Sequence, residues 1–252
     1  MRPFRLLAAV ASSTATVLLV AACGSESTSG SGSAAPASSS PAPSPTPTEN
    51  GVAELSADEI LTKAKAALAG AKSVRVKAAG VQGAQKFTLN IRYAGTKATG
   101  TFGAAGQTLE LRRLGKTVYL KGSKGFWTAN GGEAAATLLT GKWLKTSLAD
   151  KRFGQLAEIT DLTKGGFLDP DGAIRKGERK TIRGIDAIGL VDKSDDGILY
   201  IATTGPAYPL QTVPKPGGGD TGKVEFLDYD KSVTVQAPPA ELVIDTSKLP
   251  GS

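Results

Sequence analysis

The sequence predicts an α+β domain with a large, curved antiparallel sheet and helices that cover one apolar face of it. Apolar and polar residues alternate with a period of two in many short segments, as in strands with one buried face. Segments with helical spacing stand before and between these strands. Grouped strands and helices favour α+β over a regular alternation of the two.

The amino terminus combines a short apolar run with a single cysteine. Arg2 and Arg5 precede an apolar run over residues 6–20, which is too short for a transmembrane helix and typical of a signal-peptide core. Ala21 and Ala22 stand directly before Cys23, the one cysteine of the chain. This order is that of a lipobox, so we expect residues 1–22 to be a lipoprotein signal peptide and Cys23 to carry the lipid anchor. An ordinary secretory signal with a chance cysteine is the alternative.

The next segment has almost no large apolar residue. It consists mainly of Ser, Gly, Ala, Pro and Thr, which cannot bury enough surface to offset the entropy of ordering. We therefore predict a lipidated cysteine and disordered tether over residues 23–51 and a folded domain over residues 52–252. Acyl chains such as palmitate on Cys23 would hold the chain on the outer face of the cell membrane.

The first half of this domain predicts a helix followed by an antiparallel meander. Ser56 and Glu59 match a capping box, and apolar residues at helical spacing follow, which predicts a helix near 58–68 that ends at Gly70. Alternation then predicts strands around 74–76, 87–93, 109–111 and 117–120, with glycines at the turns.

The middle and the second half differ in pattern. Residues 134–139 and 143–148 are rich in Ala and Leu with weak helical periodicity, and residues 156–167 fit a short helix or an irregular cover segment. Strands are predicted again at about 173–182, 185–191, 198–203, 208–213 and 223–227, with a flexible hairpin loop at 215–220. An extended tail ends in a short apolar run at 242–244.

Composition excludes several classes of function. The chain contains no histidine, which excludes Ser-His-Asp and Cys-His hydrolysis and histidine-ligated metal sites. Without Arg2 and Arg5, 28 basic residues face 23 acidic ones, a net charge of +5 spread along the chain, and this argues against nucleic-acid binding. Asp192, Ser194 and Asp196 resemble the start of a calcium loop, but Thr203 stands where that loop needs a glutamate. We therefore predict β-turns, no metal site, no cofactor and no enzymatic activity.

The apolar face of the sheet is the candidate binding site. Its covering segments are rich in alanine, so a void for a lipid tail could remain between sheet and helices, whereas close packing is the alternative. A bulky replacement such as Leu111→Trp is then expected to weaken binding with little loss of stability. The candidate lining residues are Phe87, Leu89, Ile91, Leu109, Leu111, Val118, Trp127, Trp143, Val224 and Phe226.

The whole layout resembles a known family. The lipobox, the polar tether, the helix near 58–68, the strand that begins with Lys72-Ser73-Val74 and the ending at residues 237–245 are similar to actinobacterial lipoproteins of the LppX and LprG type. This resemblance implies a LolA-like fold, in which a half-barrel of antiparallel strands is closed by helices over its concave face. It also implies a role in binding or shuttling acylated lipids or glycolipids in the cell envelope.

Two functions remain open from the sequence. The first is a membrane-anchored carrier with an acylated lipid or glycolipid as its ligand. The second is an anchored interaction or sensor module with a filled core and an envelope protein as its partner. A bound acyl chain would favour the first, and a core without a pocket the second.

Overall fold

One twelve-stranded sheet organises the part of the chain that the computed structural model describes, which is residues 48–82, 84–150, 153–164, 166–215 and 221–248. The strands are β1 (Val74–Gln82), β2 (Gln85–Ala94), β3 (Lys97–Ala104), β4 (Gln107–Leu114), β5 (Thr117–Gly122), β6 (Trp143–Ser147), β7 (Ile174–Ile182), β8 (Ile185–Asp192), β9 (Ile198–Ala202), β10 (Pro209–Val213), β11 (Thr221–Leu227) and β12 (Val243–Asp245).

The sheet joins the two halves of the sequence. Its strand order is β12-β6-β5-β4-β3-β2-β1-β11-β10-β9-β8-β7, so β1 and β11 pair at the centre. All neighbours are antiparallel except β12 and β6, which are parallel. Because β12 and β7 lie at opposite ends of this order, the sheet is open. The predicted α+β class with one large antiparallel sheet is confirmed.

Among the described residues, three α-helices accompany the sheet: α1 (Ala57–Gly70), α2 (Lys124–Leu139) and α3 (Gly154–Glu158). The predicted capping box starts α1, since the Ser56 side chain accepts from the Glu59 N–H and the Glu59 carboxylate accepts from the Ser56 N–H. Its apolar stripe is buried through Ile60, Ala64 and Leu68. In the described part of the chain, no helix is long and apolar enough to cross a membrane.

Strands β6 and β3 differ from the sequence prediction. Residues 143–147, expected to be part of a helical middle, form strand β6 and pair with β5. Strand β3 has no counterpart in the sequence prediction, because its inward positions are Ala98, Gly100, Phe102 and Ala104, with only one large apolar residue. A Cβ at Gly100 would meet the Asn90 carbonyl oxygen at 2.1 Å, so the close approach of β2 and β3 requires glycine there.

Two extended segments are attached to this frame. Asn50, which the sequence assigned to the tether, donates from Nδ2 to the carbonyls of Ala202 and Gly205, and its backbone N–H donates to Thr203. At the other terminus, residues 228–242, which we call the C-terminal strap, connect β11 to β12 across the sheet. The strap carbonyl of Gln236 accepts from Arg112 on β4.

Candidate ligand-binding site

Strand register places the eight predicted strand residues on the inner face, the side of the sheet that the helices cover. Phe226, Val76 and Ile91 lie side by side, and Gly100 and Leu111 continue that row. Val224, Leu89 and Leu109 belong to the next row, whereas Phe87 and Val118 lie farther towards the two ends. The period-two alternation therefore gave the correct orientation for each of them.

Exposure divides these residues into a sealed centre and a more open end. Ile91, Leu109 and Val118 are 0% exposed and Leu111 is 1% exposed. A side chain beside an empty space wide enough for water would retain accessible surface, so the centre is closely packed. At the open end of the rows, Phe87 and Val224 are only half-buried.

Helix α2 covers the sheet at β4 and β5. Its Trp127 is 2% exposed and packs edge-to-face on Phe126, with ring centroids 5.0 Å apart. Gly122 lies directly beneath both rings, where a Cβ would meet the Phe126 ring at 2.6 Å and the Trp127 ring at 2.9 Å. Trp127 thus lies at the inner face as predicted, and its buried indole N–H has no hydrogen-bond partner among the described residues.

Trp143 does not lie on the inner face. Its neighbour Leu144 pairs with the inward Leu120, so Trp143 points to the opposite, outer side of the sheet. There the Arg112 guanidinium lies 4.5 Å and the Lys121 ammonium 5.7 Å from the indole ring. Including Trp143 among the inner-face residues was wrong, because residues 143–147 form a strand whose alternation directs it outward.

A cavity of about 190 Å³, partly open to solvent, lies between the carboxyl-terminal part of α1 and the irregular segment that follows α3. The ion pair between Lys65 Nζ and Asp169 Oδ1, at 2.8 Å, lies at this cavity, and both side chains are substantially exposed. The lining residues are Lys65, Leu68, Ala69, Leu162, Thr163, Gly166, Phe167, Leu168 and Asp169.

Phe167 connects this cavity to the predicted site. Its ring lines the cavity and packs edge-to-face on Phe226 of the inner face, with centroids 6.3 Å apart. Phe226 is 1% exposed, so Phe167 separates the cavity from the sealed sheet surface.

Buried polar contacts fix the segment after α3 at the end of the inner face where Tyr93 and Arg113 lie, opposite the open end with Phe87. The Tyr93 hydroxyl donates to the Ile159 carbonyl at 2.8 Å, and Arg113 Nη1 lies 3.0 Å from Asp161 Oδ2. The Arg113 and Asp161 side chains are 11% and 16% exposed. Burial opposes ionisation of Asp161, but hydrogen bonds from Thr163 and the Arg113 charge outweigh it and hold the pKa of that carboxyl below its ordinary value.

The residues with calcium-loop spacing form a turn between β8 and β9. The buried Asp192 carboxylate accepts from the backbone N–H and the hydroxyl of Ser194 and from the Asp171 N–H. Asp196 pairs with Lys215 at 2.8 Å. Cys23, the predicted anchor, and the loop at residues 216–220 lie outside the described residues.

Sequence reasoning missed the cavity and the role of Phe167. Residues 156–167 fit an irregular cover segment, but an irregular segment has no periodicity that tells which side chains point inward. The run Gly165-Gly166-Phe167-Leu168 was the available signal, since phenylalanine and leucine are among the residue types most often buried.

Comparison with known proteins gives structural neighbours only. No family model matches the sequence, and no curated protein matches it. LprF from Mycobacterium bovis is similar in structure, with a TM-score of 0.46 and 15% identity over 72% of this chain and 96% of that one. The lipoprotein LppX from Mycobacterium tuberculosis has a TM-score of 0.45 and 14% identity over 71% and 99%. An uncharacterised conserved protein from Thermus thermophilus has a TM-score of 0.38 and 10% identity over 75% and 98%. LppX is a lipoprotein, and its name is that of the type which the sequence resembles.

Proposed function

We propose that this chain is an extracytoplasmic lipoprotein, anchored to the outer face of the cell membrane through Cys23, which binds or shuttles an acylated lipid or glycolipid of the envelope. The cavity between α1 and residues 162–169 is the observation that carries the proposal, because it is lined mainly by apolar side chains and adjoins the apolar inner face through Phe167. Such a cavity favours a hydrocarbon chain over a polar ligand.

The size of the cavity defines what it can hold. An apolar cavity of about 150 Å³ accepts a benzene-sized molecule, so 190 Å³ accommodates the end of an acyl chain rather than a whole lipid. A longer chain requires displacement of Phe167 from Phe226. We therefore propose that Phe167 moves on binding and that the rest of the chain follows the half-buried part of the inner face.

The surroundings of the cavity suit a lipid that carries a polar headgroup. Lys65 and Asp169 pair with each other at the cavity and are both substantially exposed. An exposed pair of this kind contributes only about 0–1 kcal/mol, so either partner can exchange it for a headgroup at low cost. The apolar wall would then hold the chain end while the charged groups meet the headgroup.

The test is lipid analysis of the purified chain, followed by two matched substitutions. All described elements lie after residue 47, so a chain that begins at residue 24 keeps them and has no acyl group of its own. We expect mass spectrometry to detect a co-purified acyl lipid. Ala69→Trp should fill the cavity and reduce the amount of bound lipid, whereas Ala66→Trp, an exposed position on the same helix that does not line the cavity, should leave it unchanged. Equal lipid in both variants, or none in the parent, would contradict the proposal.

An anchored interaction module with a filled core is the second candidate. The observation that favours it is the sealed centre of the inner face, where Ile91, Leu109, Leu111 and Val118 are at most 1% exposed. Under this alternative the purified chain contains no lipid and the envelope partner is a protein.

A further inference from the structure

The outer face of the sheet collects basic residues that are scattered in the sequence. Lys77 on β1, Lys86 and Arg92 on β2, Lys97 on β3 and Lys223 on β11 all alternate with inward residues and are exposed. We call these five the basic face. With strands about 4.8 Å apart and a rise of about 3.3 Å per residue, they span an area on the order of 15 Å by 26 Å.

Few acidic residues compensate this charge. On the outward positions of β11 and β1 to β4, the acids are Glu110 and Glu225. Glu110 already pairs with Lys121 at 3.4 Å. Glu225 lies 2.7 Å from Lys223 and 3.4 Å from Arg183. Among the described residues, Lys86, Arg92 and Lys97 have no ion-pair partner, whereas Lys77 lies opposite Glu225 and helps Lys223 to lower the pKa of that carboxyl.

We propose that the basic face lies on the surface of an anionic lipid bilayer. Cations near such a surface are attracted by its negative potential, each contributing about fivefold to binding. Because the five cations lie on neighbouring strands of one face, several of them can approach the surface together. The chain is long enough for the basic face to contact the bilayer, because residues 24–47 between Cys23 and the described domain have a contour length on the order of 80 Å. That length allows any face of the domain to reach the membrane that holds the anchor. In this orientation the helices and the cavity face away from the bilayer.

The test measures vesicle binding of the chain that begins at residue 24, so its outcome is independent of the anchor and of the acyl-lipid proposal. We expect co-sedimentation with vesicles that contain phosphatidylglycerol and none with vesicles of phosphatidylcholine alone. Raising the salt concentration should abolish binding, because exposed charges are screened. A triple variant, Lys77→Gln, Lys86→Gln and Arg92→Gln, should bind on the order of 100-fold more weakly.

A second triple variant serves as the control for net charge. Lys63→Gln on α1, Lys124→Gln on α2 and Lys193→Gln in the β8–β9 turn remove the same charge from exposed positions that are not on the outer face. This variant should bind vesicles within about twofold of the parent. Equal losses in the two variants, with unchanged thermal midpoints, would overturn the proposal. So would binding of the parent to a soluble polyanion but to no vesicle, which would assign the basic face to an acidic polymer.

Discussion

Leu111→Trp tests whether the centre of the inner face is packed or open. Leu111 is 1% exposed and faces Gly100 on β3 and Leu120 on β5, where the backbones of β2 and β3 already approach closely. No space is available for the larger indole. Overpacking of a filled core costs about 1–3 kcal/mol, which for a domain of about 200 residues lowers the thermal midpoint by roughly 2–12 °C.

Leu138→Trp is the matched control. Leu138 lies on α2 and is 51% exposed, so the same substitution there adds an indole on the surface. Its effect should stay within about 0.5 kcal/mol, as for ordinary surface substitutions. Thermal unfolding followed by circular dichroism measures both variants in the same buffer.

The alternation of the strands alone predicts the opposite outcome for Leu111→Trp, namely lost lipid binding with a preserved fold. A thermal midpoint equal to that of the parent, together with lost acyl-lipid binding, would show that the lipid chain occupies the centre. In that case the inference that Leu111 is sealed by its neighbours would be wrong. A clear loss of stability with unchanged lipid content would place the lipid in the cavity beside Phe167.

The strands with strong alternation were predictable because one buried face imposes a period of two. β2 with Phe87, Leu89 and Ile91 satisfies this pattern along its whole length. β3 does not, since the close approach of β2 and β3 requires Gly100 and only Phe102 among its inward residues is large and apolar. The sequence therefore lacks the period-two alternation at β3.

The orientation of Trp143 depends on strand pairing and not on local alternation. Residues 143–148 contain two leucines and show weak helical periodicity, so the local pattern allows a helix. The strand is decided by pairing with β5 and with the distant β12. Once the segment is a strand, Trp143 must point away from Leu144. Tertiary pairing, which local pattern does not contain, decided the face.

The cavity was unpredictable for a related reason. Its wall combines Leu68 on α1 with Phe167 from an irregular segment about 100 residues later. The basic face likewise appears only when β11, β1, β2 and β3 are brought side by side, although each cation follows from its own strand's alternation. Alternation predicts which way a side chain points, and strand order determines which charges and apolar groups meet.

Three further predictions concern the ends of the domain and its buried charge. Cys23→Ala should give unprocessed or shed protein, and normal processing with retained membrane association on fractionation would contradict the lipobox. Asn50→Ala removes three side-chain hydrogen bonds, each contributing about 0.5–1.5 kcal/mol, so the thermal midpoint should fall by several degrees, whereas a fully dispensable tether up to residue 51 predicts no change. Asp161→Asn leaves Arg113 buried without its charge partner, and breaking a buried pair costs about 3–5 kcal/mol. The pKa of Asp161 is lowered in the folded state. Ionisation of Asp161 therefore stabilises the fold above the unfolded-state pKa of about 3.9. This stabilisation is lost as the pH falls through the lower folded-state pKa. The difference in unfolding free energy between parent and Asp161→Asn, measured by urea unfolding, should therefore be largest near neutral pH and shrink below about pH 4. If the difference in unfolding free energy is the same at neutral pH and below about pH 4, Asp161 acts through its shape and hydrogen bonds rather than through its charge.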